Sequence, residues 1–233
     1  MKNDLSTRRA LMSGLGVGAA ALAIGACAQG QTPAGSGAPL TTAFRPTRHP
    51  QDAWMDELPG QHRVFIDAST ASGAGESILY ANNLYVANME GYQLAPQDLA
   101  IVVCLRHFAT VFAYEDAIWA RYGEAFSNLL QFTDPMTNKP PVTNLFNSAD
   151  YGMAMPNMGN TIASIAGRGT QFAVCQMATR FISGQVATAV GGDADAVYEE
   201  ITSSLIPNSH LVTAGVVAAN RAQEYGYSLL TAL

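Results

Sequence analysis

The sequence predicts a three-layer α/β/α sandwich with a mostly parallel sheet of about five strands. Three observations predict it. From residue 63 onward, short apolar runs alternate with segments of helical period, the pattern of βαβ units. The run Leu99-Ala-Ile-Val-Val-Cys-Leu105 is apolar on both parities, as a strand buried on both faces of a parallel sheet must be. Glycine or polar clusters mark each change of pattern.

Taken in order, Val64-Phe65-Ile66 forms the first strand, and the Gly/Ser-rich stretch 69–77 ends it. Apolar residues then recur with helical spacing at Ile78, Ala81, Tyr85 and Met89, and Gly91 is a helix stop. The second strand, 99–105, leads into a helix over 108–130. Residues 131–159 carry Pro135, Pro140, Pro141 and Pro156 without a sustained apolar period, so they read as a long loop, an insertion suited to covering a site. A short helix over 161–167, a strand over 171–174 and a helix over 175–183 restore the rhythm. A weak strand over 185–190 precedes a helix that Asp193 caps and that runs through Leu205, and Pro207 ends the unit. The last strand, 209–213, leads into a helix from 216 to about 230. No internal repeat is evident.

Ahead of this domain (63–233) stand two segments of different character. In residues 1–28, Thr7-Arg8-Arg9-Ala10-Leu11-Met12 follows the twin-arginine export pattern, and the glycine-diluted apolar run 11–26 suits a signal h-region better than a membrane span. Two cleavage patterns fit its end. Ile24-Gly25-Ala26-Cys27 resembles a lipobox, which would place lipid on Cys27, while Ala26-Cys27-Ala28 resembles an ordinary signal-peptidase site. Residues 29–62 form a flexible tether and N-terminal extension, rich in Gly, Pro, Ser and Thr up to about Pro46. The expected location is therefore periplasmic or membrane-anchored.

Cleavage before Cys27 removes Lys2, Arg8, Arg9 and Asp4 from 12 basic and 18 acidic residues, leaving 9 against 17. A net charge of −8 argues against a nucleic-acid partner. If Cys27 carries lipid, Cys104 and Cys175 remain, in a compartment where thiols oxidise. The sequence leaves their pairing open.

Ligands of an open parallel sheet collect where strand carboxyl ends meet helix N-termini. Four places qualify: 67–77, 104–107, 175–179 and 213–215. Cys175 stands between an apolar strand and a helix, where free N–H groups and the helix dipole favour a thiolate. Its alternative role is that of a small buried residue, and Cys104, inside an apolar strand, reads as a buried hydrophobe rather than a resolving thiol.

Other patterns carry less. Gly73-Ala-Gly75 would need its third glycine where Ile78 stands, so no dinucleotide cofactor is expected. Met153, Met155 and Met158 are the spacing of a Cu(I) site or of adaptable packing side chains. His49, His62, His107 and His210 lack zinc spacing, and the neighbours Glu115 and Asp116 point apart on a helix.

Three segments resemble the DsrE/DsrF-like family of sulfur-relay and sulfur-oxidation proteins: Val102-Val-Cys-Leu-Arg-His107, Phe172-Ala-Val-Cys-Gln-Met-Ala178, and Val212-Thr-Ala-Gly-Val-Val217 with Gln223-Glu-Tyr-Gly-Tyr227. The resemblance implies that Cys175 carries sulfane sulfur as a persulfide, with His107 as proton donor or orienting group. Arg106 or Arg180 is then a candidate for binding an anionic sulfur compound. Two departures bear on the chemistry: Cys175-Gln176-Met177 replaces the family's Cys-Gly-Gln, and Phe108 replaces a glycine after the histidine. The resemblance also implies a homo-oligomer, often a trimer or a multiple of it, and a small sulfur compound or sulfur-relay protein as partner. A non-catalytic binding or scaffold module of the same fold on a membrane surface is the alternative.

Overall fold

The structure, a computed structural model, describes residues 45–233. The twin-arginine signal, the Cys27 lipobox and residues 29–44 of the tether lie outside the described residues. Strands β1 (His62–Ala68), β2 (Leu99–Leu105), β3 (Gln171–Cys175), β4 (Ser209–Val212) and β5 (Ser228–Ala232) form one sheet in the order β4-β3-β2-β1-β5. Every pair is parallel.

Strand alternation divides the core in two. Ile66, Ile101, Val103, Phe172 and Val174 face α2 (Ala71–Tyr92), α3 (Asp116–Leu130), α4 (Ile162–Ala166), α5 (Gln176–Val190) and α6 (Ala194–Thr202). Phe65, Ala100, Val102, Cys104 and Ala173 face α1 (Trp54–Glu57) and α7 (Gly215–Glu224). This is the expected three-layer sandwich, and chain direction explains its uneven layers. The chain steps from β1 to β4 in one direction, so right-handed crossovers put the intervening helices on one face; the return from β4 to β5 puts α7 on the other. Neighbours β3 and β4 therefore send their helices to opposite faces, which opens a crevice at their carboxyl ends.

Several elements differ from the sequence expectation, each for a local reason. The Gly/Ser-rich stretch is not a connecting loop: α2 begins at Ala71, with the Thr70 side chain accepting the Gly73 N–H at 2.8 Å. A Cβ at Gly73 would lie 2.6 Å from the Ala232 carbonyl oxygen, so glycine lets α2 meet the end of β5. The expected 108–130 helix divides into a 3-10 segment (His107–Ala113) and α3. Side chains bind the carbonyls at the break: Trp119 Nε1 donates to Val111 O, and Asn144 Nδ2 donates to Phe112 O and Tyr114 O.

Residues 185–190 are helix rather than weak strand, because Ile182, Val186 and Ala187 continue one buried stripe of α5 until Gly191 ends it in the left-handed region. The fifth strand comes instead from the expected final helix. That helix stops at Glu224, Gly226 turns the chain with φ 82°, and residues 228–232 pair with β1.

The 131–159 segment is packed rather than draped over a site. Leu145, Phe146 and Met155 enter the larger core beside α2 and α3, where the Phe146 ring packs tilted against Phe112 with centroids 4.6 Å apart. On the other face, Met55 of α1 is fully buried, and its carbonyl accepts from Arg63 Nη1 at 2.6 Å and Tyr227 Oη at 2.8 Å.

Candidate functional site

Cys175 closes β3 and caps α5, so its side chain leaves the sheet where the chain turns. It shares parity with Ala173, whose β2 partner is Cys104, and therefore faces α7. Its Sγ accepts the Ala178 N–H at 3.4 Å, from the first turn of α5, and the Gly215 N–H at 3.3 Å, from the first residue of α7. Two helix N-termini, arriving from opposite faces of the sheet, thus converge on one sulfur. Their N–H groups and dipoles suit negative charge there. The Met177 N–H donates to Thr213 O at 3.3 Å and ties the two loops together.

Gly215 makes the convergence possible. A Cβ there would stand 2.5 Å from Arg106 Cβ and 3.1 Å from Cys104 Sγ, so a side chain would push α7 off the sheet. Cys104 leans on the same residue, its thiol donating to Gly215 O at 3.8 Å. Both cysteines are free thiols, which settles the open pairing in this structure against a disulfide. Cys104 is completely buried. Burial pushes its thiol well above the ordinary range, the Asp67 carboxylate and Cys175 add to the rise, and Arg106 opposes it.

Above Cys175 lies a cavity of about 430 Å³ lined by Arg106, His107, Phe108, Cys175, Met177, Ala178, Phe181, Ala214, Gly215 and Val216. The lining is mostly apolar. Its permanent cation, Arg106, is engaged: Nε meets Asp67 Oδ1 at 2.6 Å and Nη2 meets Oδ2 at 2.8 Å, a two-point ion pair. The hydrogen bond to Asp67 raises the Arg106 pKa further. His107 holds a left-handed backbone with φ 52°, uncommon for a residue other than glycine, and its exposed ring meets Phe108 edge-on at 4.2 Å. No hydrogen bond joins it to Cys175 among the described residues.

The structure thus brings Cys175, His107 and Arg106 to one cavity and leaves Arg180 out of it. Arg180 is exposed on α5, 3.5 Å from Asp195 and stacked over Tyr198. The loop methionines do not share one environment, since Met155 is buried while Met153 and Met158 are exposed. Asp116 accepts from Asn144 N and Asn147 Nδ2, and Glu115 accepts from Ser204 Oγ, so both carboxylates serve the packing of neighbouring segments.

Sequence reasoning missed Asp67 as the partner of Arg106, and the apolar rim of Met177, Phe181 and Val216. Each left a trace. Asp67 is a carboxylate at the end of an apolar strand, and Met177 and Phe181 stand four apart, off the stripe of Ile182 and Val186. No family model, curated protein or solved structure matches the chain.

Proposed function

We propose that Cys175 binds or transfers sulfane sulfur as a persulfide, in a sulfur-carrier or sulfurtransferase-like role. The observation that carries this reading is the pair of N–H donors on Sγ, from two helix N-termini, at the floor of a cavity. A thiolate attacking a sulfane sulfur carries negative charge in, and the persulfide it forms carries negative charge out; both N–H groups accommodate it. His107, on the same lining, handles the proton of the departing thiol. The sequence supports delivery of this site outside the cytoplasm, with lipid on Cys27, and the family resemblance supports a homo-oligomer.

Exposure of the purified protein to an organic hydropersulfide, benzyl hydropersulfide or glutathione persulfide, followed by intact-mass analysis, tests the reading. A single added sulfur is expected on wild type and Cys104→Ser, with none on Cys175→Ser. An undiminished adduct on Cys175→Ser rejects it.

One observation favours a second reading, a non-catalytic binding or scaffold module: Cys175 is only 6% exposed. Failure of small thiol reagents to modify Cys175 in the folded protein would select that module.

A further inference from the structure

We infer that the cavity above Cys175 takes an uncharged, apolar organic sulfur compound and discriminates against anionic donors. The inference rests on the persulfide reading of Cys175 and names the substrate class that the site would accept.

An anionic donor needs a free cation or unoccupied N–H groups, and the permanent cation of the cavity and the N–H groups that point at Sγ are already engaged. The Arg106 guanidinium is matched by the Asp67 carboxylate in two bonds, so the pair is neutral as a unit. The Ala178 and Gly215 N–H groups already point at Sγ, and the Met177 N–H is bound to Thr213 O. An anion entering here leaves water and meets carbon, because Phe108, Phe181 and Val216 form the walls. An apolar group gains from the same walls, and Phe181 and Val216 remain 55% and 61% exposed until something covers them. The volume of about 430 Å³ lies within the usual range of small-molecule sites. The cavity is concave and has the sulfur at its floor, which favours a small ligand over the flat face of a second copy.

The transfer balances without an added oxidant. The Cys175 thiolate attacks the terminal sulfur of an organic hydropersulfide, R–S–SH. A new S–S bond forms, the RS–SH bond breaks, and RS⁻ leaves. The proton lost from the Cys175 thiol ends on that leaving group, giving Cys175 persulfide and RSH.

Two donors with the same reacting group, and so the same ionisation of the hydropersulfide, differ in the charge of the carrier: benzyl hydropersulfide, whose R group is apolar, and glutathione persulfide, whose R group carries two carboxylates and an amine. On the full chain, intact mass should show Cys175 loading at least about tenfold faster from the benzyl donor at equal concentration. Phe181→Asp, an exposed position, should erase that preference while leaving the circular dichroism unchanged. Equal or faster loading from glutathione persulfide overturns the inference but leaves the persulfide reading intact.

Occupancy is read separately from transfer with Cys175→Ser and the neutral fluorophore N-phenyl-1-naphthylamine. Displacement of the fluorophore by benzyl mercaptan, with glutathione and thiosulfate inert, supports the ligand class even if neither donor loads the wild type, an outcome that rejects the persulfide reading alone. No fluorophore binding, displacement by thiosulfate, or binding that vanishes as light scattering reports self-association overturns it, the last by assigning the apolar rim to a second copy.

Discussion

Cys104 and Cys175 lie on adjacent strands, face the same side of the sheet and touch the same glycine, yet one is sealed and the other stands at the floor of a cavity. Their difference is one of position along the strand. Cys104 falls two residues before the Arg106–His107 turn, with α7 packed over it, whereas Cys175 is the last residue of its strand at the place where the helices part to opposite faces. Gly215 accentuates the contrast, since the residue offers its N–H to Cys175 and its carbonyl to Cys104. The two peptide groups that flank this residue thus favour charge on one sulfur and a retained proton on the other.

The largest consequence is reactivity. Cys104 meets solvent only when the structure opens, so iodoacetamide should modify Cys175 at least about a hundredfold faster in the folded protein. In denaturant, the two rates should converge. Peptide mapping of timed, quenched samples reads both sites, and equal folded-state rates would show that Cys175 is as sealed as Cys104.

Gly215→Val attacks the shared wedge. A branched side chain where a single Cβ already approaches Arg106 and Cys104 should cost about 3 kcal/mol, read as a melting temperature lower by roughly 9 °C. Displacing the peptide also withdraws one donor from Cys175, so alkylation at Cys175 should change along with stability. A variant that melts and reacts like wild type would show that the glycine is not what brings α7 down to the two sulfurs.

The contrast between the two thiols was partly legible in the sequence. Seven consecutive apolar residues around Cys104 mark a strand interior, and the change from the apolar 171–174 run to helical period marks Cys175 as a strand end. Both signals are local, and local signals suffice for elements. The convergence of Ala178 and Gly215 on one sulfur depends on which edge β4 occupies, and no spacing within either segment encodes that. The pairing of Arg106 with Asp67, 39 residues apart, depends on the β1–β2 register in the same way. The two misread segments, 185–190 and 228–232, are runs of six and five residues, too short for helix and strand periods to be told apart. Tertiary packing decided both.

Asp67→Asn separates the charge of the cavity from its shape. Loss of the carboxylate leaves a partly buried guanidinium with weaker acceptors; because Arg106 keeps about a quarter of its side chain exposed, the cost should be near 2 kcal/mol, below that of a sealed pair. The cavity then gains an unmatched positive charge. Thiosulfate should displace N-phenyl-1-naphthylamine from this variant but not from the parent protein, and inert thiosulfate in both would show that the ion pair does not govern charge selection.

The smallest effect is a pH dependence carried by Cys104. Its thiol is held in the protonated form in the folded protein, above the value of about 8.5 expected in the unfolded chain. A group whose pKa is raised by folding contributes stability that is complete below the unfolded value and is lost as pH rises above it, because the unfolded chain then releases a proton that the folded one retains. Between about pH 8 and pH 9.5 this amounts to roughly 1 kcal/mol. Urea denaturation of wild type and Cys104→Ala across that window isolates the term, since the raised pKa values of Tyr114 and Tyr227 are common to both proteins and cancel in the difference. The cavity left by the alanine shifts the whole curve but not its slope. Wild type should lose stability more steeply than Cys104→Ala as pH rises, and parallel curves would mean that Cys104 ionises as freely in the fold as out of it, which its complete burial beneath α7 does not allow.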